Sequence, residues 1–134
     1  MIHRDEVMEL FISECPSFEK RWKVHLQDIW DRNSETILYT DLSEFARHLT
    51  ELVINNELNE LKNVFKITER LIGEGDSFVQ EAIVVGLIED FQGGLERNGY
   101  NLKTFEKFLE PETQKYWTKV IKFWNGEIPY INNN

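Results

Sequence analysis

The sequence predicts an all-α fold, a single-domain bundle of about seven helices arranged as antiparallel pairs around a central helix near residues 77–97. Apolar residues recur at three- and four-residue steps almost from end to end, the period of one helix face. No convincing alternating run of strand length interrupts them. The breaks between stripes carry helix-terminal residues: Pro16, Asn55-Asn56, Gly73-Glu74-Gly75-Asp76, Asn98-Gly99, Pro111 and Asn125-Gly126. A chain of 134 residues is long enough for one core. The domain is expected over 1–126, with 127–134 as an aperiodic tail.

Val7, Leu10 and Phe11 give a short first stripe that ends before Pro16, because the residue preceding proline avoids the helical region. Phe18, Trp22, His25, Leu26, Ile29 and Trp30 make a second. Residues 36–39 read as loop, and Asp41 as an N-cap whose capping box is closed by Glu44. Leu42, Phe45, Ala46, Leu49, Leu52 and Val53 follow on one face. Leu58, Leu61, Phe65, Thr68 and Ile72 define a fourth helix running into the glycine-containing corner.

The fifth, at 77–97, is apolar nearly all round in its middle, which suits the centre of a bundle. Ala82 and Gly86 reduce its bulk where a neighbour can approach. Asn101 caps a short helix bearing Phe105 and Phe108, and Pro111 opens the last helix, lined by Tyr116, Trp117, Val120, Ile121 and Trp124. Such helix pairs are the unit of helical-repeat proteins, although no signature recurs at fixed spacing.

The net charge is −9. Nucleic-acid binding calls for a basic stripe and is disfavoured by this charge. No apolar run approaches the roughly 20 residues that span a bilayer. Cys15 is the only cysteine, so no internal disulfide can form, and the first residues lack the pattern of a secretory signal. A cytoplasmic location without membrane association is expected.

The residue types needed for catalysis do not group in a recognisable pattern, and neither an enzyme nor a cofactor is expected. Cys15 with His25 is a weak nucleophile-base pairing, more simply read as a small filler at a helix end. Glu44, His48 and Glu51 could share a helix face and offer metal ligands, but capping and surface roles explain them as well. The Gly73-Glu74-Gly75-Asp76 corner puts carboxylates where a phosphate loop needs amides and a lysine. Trp22 with Trp30, and Trp117 with Trp124, are read mainly as core.

The most informative segment runs from 71 to 96, with six carboxylates and neither Lys nor Arg. Glu74 and Asp76 suit the start of a helix, where its dipole favours negative charge. At about 100° per residue, Glu81, Val85, Glu89, Gln92 and Glu96 fall on one strip. That strip either faces water or docks a basic partner through charge complementarity. The candidate binding residues are Glu74, Asp76, Glu81, Val85, Glu89, Gln92 and Glu96.

The stretch Glu74-Gly75-Asp76, Val79-Gln80-Glu81-Ala82, Gly86, Glu89-Asp90 and Gln92, followed by Pro111-Glu112, Trp117 and Phe123-Trp124, resembles a family of small acidic all-helical bacterial proteins. The likeness is clearest over 41–126. It implies a candidate immunity protein that neutralises a polymorphic or contact-dependent toxin, and supplies no catalytic residues. The implied partner is a basic toxin domain, with nucleases among the candidates; oligomeric state is left open. Competing readings are a helical adaptor with a non-toxin partner and a metal-dependent enzyme.

Overall fold

Two corners set how the helices meet. The structure, a computed structural model, describes residues 1–29 and 31–131. At the first corner, α1 (Val7–Glu14) stops at Cys15, and Pro16 opens a 3-10 turn, Pro16–Phe18, leading into α2 (Glu19–Asp28). At the second, α4 (Leu61–Glu74) gives way within two residues to α5 (Ser77–Glu81), capped by Asp76, whose side chain accepts the Val79 amide at 2.8 Å. Gly75 is required there, since a β-carbon would stand 2.5 Å from the Leu71 carbonyl oxygen. The N-terminal residues clamp this corner: Ile2 N donates to Glu74 O at 2.8 Å, and Asp76 N to Ile2 O at 2.9 Å.

Between the corners lies α3 (Ile37–Ile54). It starts one turn before the expected cap, so residues 37–39 are helical rather than loop, and Asp41 is an interior residue. Asp41 is buried: Arg32 grips both carboxylate oxygens at 3.0 and 2.8 Å, and His25 Nε2 lies 2.8 Å from Oδ1. Glu44 is not a capping partner but pairs with Arg21 and Arg47. A local cap pattern cannot reveal cations that arrive from another helix.

The central helix is continuous from Ser77 to Arg97. Its middle, Ala82–Ile88, is π-helical, joining α5 to α6 (Glu89–Arg97). A π-turn bonds i to i+5 and is wider than the α-helix, so residues on either side of it fall out of the 3.6-residue phase. The segment after α6 is a 3-10 helix, Leu102–Phe108, rather than a short α-helix, and α7 (Pro111–Trp124) follows. Seven α-helices among the described residues thus make one all-α domain. The central helix packs along α3, while α4 lies against α1 and α7.

Phe11, Phe45, Phe65, Phe91 and Trp117 are fully buried; Trp117 meets Phe65 edge-on at 6.4 Å between centroids and Phe91 at 6.1 Å. Each such side chain contributes about 1.5–3 kcal/mol by leaving water. The α2 stripe is less covered than its spacing suggests. No α2 residue is fully buried, Val24 is 54% exposed, and the helix is tied down by Arg21 to Glu44 and Glu51 and by His25 to Asp41. Trp30, part of that stripe, lies outside the described residues, as does the end of the tail. Ile131 is buried against the core, so the segment after Gly126 is anchored at that point.

Candidate functional site

A groove of about 820 Å³ opens between α3 and α6. Both helices present small residues to it: Ala46 and Thr50 from α3, Gly93 and Gly94 from α6. Gly94 permits this approach, since a β-carbon would lie 2.5 Å from Thr50 Oγ1. By contrast, a β-carbon at Gly86 would meet Tyr39 at 3.4 Å and Leu42 at 3.5 Å, close to ordinary contact. The closest approach is therefore about two turns further along the helix than Gly86, and nearer the groove.

Glu89, Asp90 and Glu96 from α6 and Glu51 from α3 line the groove, opposed by Arg47 and Arg97. Ser43 Oγ donates to Asp90 Oδ2 at 2.6 Å, holding that carboxylate across the helix pair. Burial pushes the Glu89 carboxyl above its ordinary value, and repulsion from Asp90 adds to this, while the Trp124 indole N–H opposes both. Two apolar side chains stand at the rim: Trp124, 64% exposed, and Ile54, 49% exposed. An exposed indole beside an acidic groove is the kind of anchor that carries binding energy in protein interfaces.

The seven residues of the anticipated surface separate into different places. Glu89, Gln92 and Glu96 border the groove. Gln92 is nevertheless 3% exposed and donates Nε2 to the Trp117 carbonyl at 3.0 Å, so it joins α6 to α7 and is withdrawn from the strip. Glu81 is exposed and acts electrostatically on Tyr39, whose hydroxyl is raised first by burial and then by that charge; Val85 is half-buried. Neither lines the groove. Glu74 pairs with Arg70 at 3.3 Å. Asp76 is held below its ordinary value by the Val79 amide and then by His3, whose Nδ1 is 3.0 Å away.

The intervening π segment changes the angular phase between Glu81 and Glu89 from that of a regular helical wheel. Ile54 and Arg47 had no expected role, while Trp124 was expected mainly in the core, Glu51 beside His48 and Asp90 off the acidic strip; the groove gathers all five. Trp124 continues the spacing of buried Thr113, Trp117 and Val120 but is 64% exposed, because the described residues cover the last turn of α7 only in part. Periodicity carried no signal for this.

A second polar grouping lies under the first corner. His48 does not join Glu44 and Glu51, which are engaged by Arg21, and Cys15 does not meet His25. Instead Ser17 Oγ lies 2.8 Å from His48 Nε2 and donates to Glu60 Oε1, while Cys15 Sγ is 3.6 Å from both Ser17 Oγ and Glu60 Oε1. Burial pushes the Cys15 thiol up to about 12, so it is protonated at neutral pH and not poised as a nucleophile. Burial, then Arg21, lowers His48 below its usual value and favours the neutral imidazole. Cys15, His48 and Glu60 each direct one donor atom into this spot.

Fold and groove together define a compact helical domain, and no helix among the described residues is long and apolar enough to cross a membrane. The chain belongs to the family described as a domain of unknown function, DUF7674, which it matches over residues 8–125. Neither a curated protein nor a solved structure matches it.

Proposed function

We propose that this chain is an immunity protein that binds a cognate bacterial toxin domain in the α3–α6 groove and neutralises it without catalysis. The observation carrying this reading is the juxtaposition of exposed Trp124 with Glu89, Asp90 and Glu96. A basic partner segment entering the groove would neutralise the carboxylates and cover the indole, combining electrostatic steering with an aromatic anchor. A nuclease domain suits this chemistry because its own substrate cleft is basic. The net charge of −9 acts in the same direction by speeding encounter with a basic surface.

Co-expression with the adjacent gene product tests the proposal. A toxic product should become tolerated, and the two chains should co-purify. Trp124→Ala and the double variant Glu89→Gln/Glu96→Gln should each lose protection, the latter through slower, less salt-sensitive association. Full protection by both variants, or capture of a non-toxic housekeeping partner in place of a toxin, would replace this reading with an adaptor role or another binding face.

A further inference from the structure

We propose that Cys15, His48 and Glu60 form a zinc-binding site that joins the α1–α2 turn to α3 and to the start of α4. One donor atom from each of the three residues lies within 4.8 Å of the other two. The Cys15 Sγ to Glu60 Oε1 separation is 3.6 Å. Bonds of about 2.0–2.3 Å to a tetrahedral zinc place neighbouring sulfur and oxygen ligands about 3.5 Å apart. The donors come from segments remote in sequence, so their convergence is a property of the fold.

Chemistry and surroundings both fit zinc. A thiolate and an imidazole disfavour magnesium and calcium, which take oxygen ligands, and suit zinc. With Cys15 as thiolate and Glu60 as carboxylate, the divalent ion is neutralised, which a largely buried position demands. Cys15 is fully buried and His48 is 9% exposed, whereas Glu60 is half-buried and Ser17 exposed, leaving an approach from solvent. The Ser17 amide donates to Glu60 Oε2 at 3.1 Å and fixes the carboxylate so that Oε1 faces the thiol. The Phe18 ring, 5.2 Å from the imidazole between centroids, steadies His48.

The Ser17 hydroxyl occupies the space between the imidazole and carboxylate that the ion would take. On binding, that hydroxyl turns outward and the Cys15 thiol proton passes to solvent as the zinc–sulfur bond forms. His48 binds through Nε2 with its remaining proton on Nδ1, and a water completes the tetrahedron. The site owes nothing to the groove, so its success or failure is independent of the immunity reading.

Cobalt(II) titration of the full chain, followed by competition for zinc against a chromophoric chelator, tests the site. One equivalent of cobalt should produce a near-ultraviolet thiolate-to-cobalt charge-transfer band, and zinc should displace it. Cys15→Ser should abolish the band, and Glu60→Gln should weaken zinc binding at least tenfold. Ser17→Ala should bind zinc as tightly as the parent or more so, because it removes the competing hydroxyl. Absence of the band from the parent protein overturns the proposal, whatever the folding of the variants. So does equal zinc binding by the parent and Glu60→Gln, which would place the metal at other carboxylates.

Discussion

Glu69 on α4 caps the first turn of α7 through Thr113: its Oε1 accepts hydrogen bonds from both the Thr113 amide and the Thr113 hydroxyl, each at 2.8 Å. Its Oε2 accepts the Glu112 amide at 3.0 Å. Glu110 supplies no side-chain cap, so the helix start is satisfied by a carboxylate from a different helix. Burial pushes the Glu69 carboxyl up, but these hydrogen bonds outweigh it and hold the group below its ordinary value of 4.5. Glu69→Ala is expected to cost about 1 kcal/mol at neutral pH, the usual worth of a lost cap. Because the folded value is lowered, this contribution is fully present above 4.5 and fades as pH falls through the lower folded value. Urea unfolding of parent and variant at pH 7 and pH 3 should show the gap narrowing in acid.

Gly94→Ala sets helix propensity against packing. Propensity favours alanine by about 1 kcal/mol, whereas forcing a methyl into the α3 contact costs typically about 1–3 kcal/mol. A new β-carbon 2.5 Å from Thr50 Oγ1 makes packing win, and the variant should melt at a lower temperature. Thr50→Ala leaves only Cβ, 3.4 Å from the added methyl, so the double variant should recover most of the loss. Additive effects in this double-mutant cycle would show that the contact is relieved by other means.

Arg32 compensates a carboxylate that α3 carries into the interior. Its side chain also lies over Trp22, with the guanidinium carbon 5.3 Å from the ring centroid. Arg32→Ala leaves Asp41, whose side chain is 3% exposed, with His25 as its one partner among the described residues. The expected loss is about 3 kcal/mol, the scale for removing one partner of a buried pair. Arg32→Lys should fall between parent and alanine, since it retains the charge without the two-pronged geometry. Equal stabilities for parent and alanine variant would mean that solvent reaches Asp41.

Trp124→Ala separates binding from folding. With 64% of the residue exposed, truncation should change stability by no more than about 0.5 kcal/mol. Affinity for a groove-binding partner should fall at least tenfold, as it does at aromatic hot spots. Calorimetric melting and titration on the same sample read both quantities. A large fall in melting temperature would assign the indole a structural role.

The all-α class, the helix count and the span of the central helix were legible in the sequence because each depends on a local period and on residues that stop it. Pro16, Pro111 and Asp76 act within one turn of their own positions, so their roles could be read before folding was considered. Candidate carboxylates could be named for the same reason.

Tertiary structure decided which of them share a surface. The π segment alters the angular phase between Glu81 and Glu89, Trp117 draws Gln92 inward, and His3 and Arg70 attend the corner acids Asp76 and Glu74. Asp41 is interior because Arg32 and His25 reach it, and Cys15 meets His48 and Glu60 only when three separate segments pack. Periodicity describes a helix in isolation, whereas the fate of a buried charge or an uncovered indole depends on what neighbouring helices bring to it.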